Sequence, residues 1–263
     1  MRDASLRDAL VNETRLFALL LPLWIGIAAV MLVALLVRRA PYGRHSQTGV
    51  GPTLDARWAW VIMEVPSPLA MLFTFATGRH GGASWAWLFL GLWLTHYVNR
   101  TFVQPFRWRG HATPMPWLIA VTGALFNAIN GYTNGRWLFE LTRGYEPSWF
   151  MSARFIVGLT LFACGMAVNV HGDEVLRGLR GVGERGYRIP HGGMYRWISC
   201  PNYLGEMIEW TGFALCTWSL PAAAFAAWTV ANLFPRALAH HRWYRERFAD
   251  YPSTRRAVIP YVV

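Results

Sequence analysis

The sequence predicts an all-α, polytopic integral membrane protein with about seven transmembrane helices, and three observations carry that reading. Apolar runs recur along the 263 residues, of which 54% are hydrophobic. Arginine collects in alternate connections between those runs. A polar block, residues 169–209 (NVHGDEVLRGLRGVGERGYRIPHGGMYRWISCPNYLGEMIE), lies between two apolar segments. Lipid penalises such residues unless they line a protein cavity and find partners there.

A spanning helix needs roughly 20 mainly apolar residues. Runs that meet this criterion fall at about 16–37, 58–77, 84–103, 116–134, 149–170, 203–219 and 221–239. The first follows a segment mixing Arg with Asp and Glu and stops at Arg38-Arg39. It is longer than a signal core and has no small-residue cleavage site, so it reads as a membrane helix. The second, VIMEVPSPLAMLFTFA, holds Glu64 with Pro66 and Pro68 just after it, a mark of irregular helix at membrane depth. The third ends WLTHYVNRTFV and clusters His96, Tyr97, Asn99 and Arg100. Asn127, Asn130 and Asn134 space the fourth, and Asn169 closes the fifth. Glu206 and Glu209 open the sixth, which only Ser219-Leu220-Pro221 separates from the seventh, predicting a tight helical hairpin.

Arg38, Arg39, Arg44, Arg57, Arg100, Arg107, Arg109, Arg177, Arg180, Arg185, Arg188 and Arg196 sit in connections that an odd number of spans puts on one side, together with the Arg-rich tail. Arg2, Arg7, Arg15, Arg79, Arg136 and Arg143 lie opposite. The positive-inside rule then places the N-terminus outside and the C-terminus in the cytoplasm. Residues 1–263 form one membrane domain, with a cytoplasmic loop at about 171–202 and a cytoplasmic tail at about 240–263.

Several classes are excluded. The net charge is +11 and all 25 basic residues are Arg, but they flank apolar runs and form no soluble basic face for nucleic acid. Cys164, Cys200 and Cys216 show neither metal-ligand spacing nor a disulfide framework. His240-His241 has no third ligand at a helical spacing, so no metal is expected. Gly181, Gly183 and Gly186 spell G-x-G-x-x-G, yet a dinucleotide fingerprint needs a preceding strand, and here a membrane helix precedes. A transporter is disfavoured because no repeat with matched interrupted helices is present.

The remaining polar residues point to a site. A neutral carboxyl at Glu64 can donate a hydrogen bond to a substrate carbonyl; the alternative is a helix-entrance Glu paired with a loop Arg. Tyr97 is either an interfacial aromatic or a second donor beside Glu64. Arg100 is either a positive-inside residue or a phosphate contact. Asn169 and Asp173 share one helical face, as do Asn202, Glu206 and Glu209, and again Arg236, His240 and Tyr244. Three polar stripes flanking one loop predict a shared cavity for a large, polar, anionic ligand.

The blocks NVHGDEVLRGLR, GYRIPHGGMYRWISCPNYLGEMIEWTGFAL, WSLPA and HHRWYRERFADYPSTRRAVIPYVV, with HYVNRTFV and MEVPSP upstream, resemble the membrane steroid 5α-reductases. The resemblance covers about residues 58–263 and is slight over 1–57. It implies NADPH-dependent reduction of a 3-oxo-Δ4 steroid, or another lipophilic enone entering from the bilayer, to the 5α product. It implies that Glu64 and Tyr97 hydrogen-bond the C3 carbonyl. It also implies that Arg100, Asn169, His171, Asp173, Arg180, Tyr187, Arg188, Asn202, Glu206, Arg236, His240 and Tyr244 hold the cofactor. The implied setting is a bacterial inner membrane with the cofactor site facing the cytoplasm, and a monomer is compatible with it. Two positions depart from the family: Met63, where Gln is common, and Trp108, where relatives carry Asn. Two other enzyme readings share parts of this pattern: a methyltransferase using S-adenosylmethionine on an isoprenylated or lipid substrate, and another sterol double-bond reductase.

Overall fold

The computed structural model describes residues 2–38, 51–109, 113–179, 181, 184 and 186–263. Its helices are α1 (Arg2–Val37), α2 (Ala56–Glu64), α3 (Pro66–Thr77), α4 (Ser84–Val98), α5 (Gln104–Arg107), α6 (Trp117–Arg136), α7 (Ala153–Gly178), α8 (Pro201–Thr217) and α9 (Leu220–Arg247). Helix stands wherever the apolar runs predict it. One two-stranded sheet accompanies the helices among the described residues. Thr53–Leu54 pairs antiparallel with Met115–Pro116, tying the start of α2 to the start of α6.

Three segments are long and apolar enough to cross a membrane: Val11–Val37, Ala56–Thr77 and Ala153–Gly178. The other long helices carry the polar residues of the site, such as Asn127 and Asn130 on α6 or Glu206 and Glu209 on α8. Helices α4 and α8, with 15 and 17 residues, are short for a span, and Asn127, Asn130 and Asn134 of α6 are buried. Outward faces are apolar: Leu19, Leu23, Val30 and Val33 of α1 are all well exposed, which suits a hydrocarbon solvent.

The breaks in the helices have local causes. Proline lacks an N–H and crowds the carbonyl one turn back, so Pro66 separates α2 from α3 at Val65, directly after Glu64. The same effect at Pro105 accompanies a π-helical turn over Asn99–Val103, which joins α4 to α5 and closes with Gln104 N–H donating to the Asn99 carbonyl. Such turns cluster at functional positions. Between α8 and α9, Trp218 takes a left-handed conformation (φ 43°) and the Ser219 side chain caps α9, giving the expected hairpin.

The tightest packing joins α7 to α8. Gly158, Gly165 and Gly172 of α7 recur every seven residues and face Gly212, Gly205 and Asn202 of α8. Small residues let two backbones approach closely without lipid-exposed voids. The centre of the bundle is aromatic: Trp210 packs on Phe225 at 4.4 Å and on Trp93 at 5.1 Å, and Trp93 stacks on Tyr97 at 5.3 Å between ring centroids.

Side-chain bonds sort the connections onto two ends. At one end, Arg136 grips Glu13 through two bonds of 2.7 and 2.8 Å, the Arg79 amide donates to Glu140, and Tyr145 donates to the Thr217 carbonyl. At the other end, the C-terminal strap folds back on the segment before α8. Ser199 and Cys200 amides donate to the Arg256 and Ala257 carbonyls. The expected tail at about 240–263 is therefore helix as far as Arg247 and then a fixed strap, in which Ala257 and Val258 are buried.

Candidate active site

The polar stripes predicted on separate helices do meet. Helix α7 presents Asp173 to α8, and Asn202 Nδ2 donates to Asp173 Oδ1 at 2.8 Å. One turn earlier, Asn169 Nδ2 donates to the Asn202 carbonyl at 2.9 Å. This register follows from the glycine seam, because a Cβ at Gly172 would press on Asn202. Arg100 enters from the π-helical turn after α4. Its guanidinium lies 3.6 Å from Glu64 and 3.8 Å from Glu206, and its Nη1 donates to Gln104 Oε1 at 3.1 Å. Gln104 Nε2 in turn donates to Asp173 Oδ2. The ring of Trp60 lies 4.4 Å from the Arg100 guanidinium carbon, a cation–π contact that fixes the cation between Glu64 and Glu206.

Above this network lies a cavity of about 350 Å³. Arg100, Arg107, Arg109, Arg177 and Arg236 line it, against the acids Asp173 and Glu174. Asn99, Gln104, Tyr187, Asn202 and Tyr203 supply further hydrogen-bonding groups, and Trp60 and Trp108 form an aromatic wall with rings 5.7 Å apart. Glu174 is already engaged by Arg107 at 2.7 Å and by Arg177 at 2.5 Å.

Deeper in the bundle stand the two expected donors, Glu64 and Tyr97, 8% and 2% exposed. They are joined by a residue of α6. The Tyr97 hydroxyl donates to Asn127 Oδ1 at 3.2 Å, and Asn127 Nδ2 donates to Glu64 Oε2 at 3.2 Å and to the Met63 carbonyl at 2.9 Å. Beside Tyr97, His96 Nδ1 meets Glu209 Oε1 at 2.9 Å, and both residues are buried. Glu209 shares the α8 stripe by its spacing, and the structure turns it to His96 of α4, away from the cavity.

The other expected site residues are placed as follows. Tyr187 lines the cavity and packs edge-on against Trp243 at 4.9 Å. Arg188 is exposed and pairs with Glu184 at 3.1 Å. His171 is exposed and lies against Gly193. His240 packs on Tyr203, which lines the cavity, and Tyr244 stacks on Tyr251 at 5.3 Å, outside the cavity lining. Arg180 and Gly183 lie outside the described residues. Behind these, Ser199 Oγ is 2.6 Å from both His241 Nδ1 and the Tyr251 hydroxyl. Burial, then the cations Arg245 and Arg256, hold the His241 imidazole below its ordinary range, and burial pushes the Tyr251 phenol up.

Sequence reasoning missed Asn127, Gln104, Arg107 and Arg177 as site residues. Gln104 had a usable signal, since it stands four residues after Arg100. Asn127 had only its presence in an apolar run, shared with Asn130 and Asn134.

The family model described as 3-oxo-5-alpha-steroid 4-dehydrogenase matches residues 113–263, a span that includes Arg177 and Arg236 of the cavity lining. The chain belongs to the steroid 5α-reductase family. Steroid 5-alpha-reductase DET2 of Gossypium hirsutum is 41% identical over 251 residues, covering 94% of each chain. 3-oxo-5-alpha-steroid 4-dehydrogenase 1 of Bos taurus is 40% identical over 242 residues, 90% of this chain and 93% of its own. The enzyme of that name from Macaca fascicularis is 36% identical over 264 residues and covers 100% of both chains. The likeness to steroid 5α-reductases therefore reaches into α1, where the motifs alone carry little of it. This is a family of oxidoreductases, and the inward polar site matches an enzyme of that kind.

Proposed function

We propose that this protein reduces the Δ4 double bond of a 3-oxo-Δ4 steroid to the 5α-3-oxosteroid, using NADPH. The observation that carries the reading is the arrangement of Glu64 and Tyr97, two hydrogen-bonding side chains buried side by side on Asn127, just beneath an arginine-lined cavity.

The residues present fit a phosphorylated dinucleotide. Five guanidiniums against two acids, one of those acids already paired, give a site that favours bound phosphates. Tyr187, Trp60 and Trp108 add ring faces. Of the residues assigned to the cofactor, Arg100, Asp173, Tyr187, Asn202 and Arg236 line the cavity itself. Asn169, Glu206 and His240 support that lining from behind. When bound, the cofactor supplies a hydride, accepted at C5 of the enone. As C5 is reduced, negative charge develops on the C3 oxygen. Glu64 in its acid form and Tyr97 then stabilise that oxygen by hydrogen bonds, which count most in a dry site. The resulting enolate, whose double bond lies between C3 and C4, takes a proton at C4 from solvent or another donor, which restores the C3 carbonyl.

The same reading assigns seven spans, with the N-terminus outside and the cavity facing the cytoplasm. The arginine asymmetry supports it, as does the sorting of connections onto two ends, with Glu13, Arg79 and Arg136 at one and the cavity at the other. An apolar steroid then arrives from the bilayer, and a soluble dinucleotide from the cytoplasm.

The test is direct. Detergent-purified protein is incubated with NADPH and progesterone, and the product is compared by mass spectrometry with 5α and 5β standards. A 5α-dihydro product is expected. Retention of the steroid unchanged, or the 5β product, overturns the proposal, and binding of S-adenosylmethionine in place of NADPH redirects it to the methyltransferase reading.

A further inference from the structure

Asn127 occupies a position that the proposed chemistry does not name, yet it touches both reacting-site donors. Its amide orientation is fixed by chemistry: the Met63 carbonyl can only accept, so the atom 2.9 Å from it must be Nδ2. Oδ1 is thereby turned toward the Tyr97 hydroxyl at 3.2 Å, and the second N–H faces Glu64 Oε2, also at 3.2 Å. The Met63 carbonyl lies in the last turn of α2, which ends at Glu64, and the last carbonyls of a helix have no partner within it. Asn127 is itself 7% exposed, so these bonds form away from bulk water.

We infer that Asn127 is the positioning residue that holds Glu64 and Tyr97 apart as two separate donors, in place of letting them bond to each other. Resting on the functional reading above, this follows from their hydrogen-bonding inventory. A tyrosine hydroxyl and a carboxyl left in direct contact satisfy one another, and neither proton then points at a substrate carbonyl. With an amide between them, each forms a longer bond that a developing oxyanion can displace, while the bond to the Met63 carbonyl keeps the amide from rotating. Met63 cannot contribute an amide of its own, and its thioether lies against Gly123, one helical turn before Asn127 on α6.

The test uses the whole protein in detergent and two variants. Asn127→Leu keeps the volume and removes every bond. Asn127→Asp keeps the shape, but donates to Glu64 only in its acid form. The charged and titratable groups around the position are Glu64, Tyr97, Arg100 behind Glu64, Glu206 beyond Arg100, and His96, which packs edge-on against Tyr97 and meets Glu209. For Asn127→Leu, kcat for steroid reduction is expected to fall roughly 10²-fold, the scale of a small misplacement of reacting groups, with NADPH affinity and melting midpoint near those of the parent. Asn127→Asp is expected to gain a pH limb absent from the parent, losing turnover as pH rises. Unchanged turnover in both variants overturns the inference. So does a parallel fall of turnover, cofactor affinity and midpoint, which marks a merely structural role. Failure of the parent protein to reduce any steroid overturns the functional reading and this inference with it, whereas an active parent with indifferent variants overturns this inference alone.

Discussion

Gly165→Ala tests whether the α7–α8 seam sets the geometry of the site. An added Cβ at Gly165 falls 2.6 Å from the Gly205 carbonyl oxygen and against the backbone of Glu209, both on α8. The nearest of these atoms, the Glu209 nitrogen, is at 2.4 Å and ordinary contact begins near 3.4 Å, so the two backbones must separate by about 1 Å at this level. Backbone cannot rotate aside as a side chain can. Overpacking of this kind costs about 1–3 kcal/mol, against a helix-propensity gain of about 1 kcal/mol for replacing Gly with Ala. The net loss of stability is therefore modest. The functional loss is larger, because Asn169 and Glu206 stand on either side of the seam and Asn202 one turn further along. A shift near 1 Å in reacting geometry lowers turnover by roughly 10²-fold. The assay compares kcat, NADPH affinity and thermal midpoint in detergent for Gly165→Ala and for Gly91→Ala, a helical glycine with nothing within 4 Å of the added Cβ. Gly91→Ala should match the parent protein in turnover and NADPH affinity. A Gly165→Ala protein with parental turnover refutes the argument that helix spacing at this seam controls the site.

Three further outcomes are expected. Glu64→Gln and Tyr97→Phe should each lower turnover by about 10²- to 10³-fold, the usual cost of losing one oxyanion donor, while isothermal titration shows NADPH affinity little changed; equal losses in both quantities contradict the assigned roles. Arg100→Met removes the cation 3.6 Å from Glu64 and 3.8 Å from Glu206, and breaking such a buried pair costs about 3–5 kcal/mol. The thermal midpoint should drop, and adding Glu206→Gln should restore part of it by removing the carboxylate left stranded beside the lost cation. His241 is held below its ordinary value of about 6.5, so the unfolded chain binds its proton more readily than the folded one. Its contribution is complete above that ordinary value and drains away as pH falls toward the folded one. The midpoint of the parent should therefore decline on acidification more steeply than that of His241→Gln; identical slopes rule out this linkage.

Much of this protein was written into its sequence. Helix positions followed from length and hydropathy, because a bilayer leaves few alternatives to helices that satisfy their own backbone. The pairing of Asn169 with Asp173, and of Asn202 with Glu206, followed from a period of 3.6 residues that puts them on one face. Glu64 and Tyr97 stood out because polar groups at membrane depth are costly. Periodicity cannot say which face meets which helix. It grouped Glu209 with Glu206, yet the tertiary fold aims Glu209 at His96 and Glu206 at Arg100. It grouped Arg236, His240 and Tyr244, yet only Arg236 lines the cavity, while Tyr244 stacks on the C-terminal strap. It gave Asn127 no distinction from Asn130 or Asn134, since the partners of Asn127 lie 30 and more residues away on two other helices. Local sequence determines what a helix can offer. Only the close approach of α7 to α8, the break at Pro66 and the π-helical turn after Tyr97 decide which offers meet, because hydrogen bonds act over about 3 Å and depend on three-dimensional neighbours.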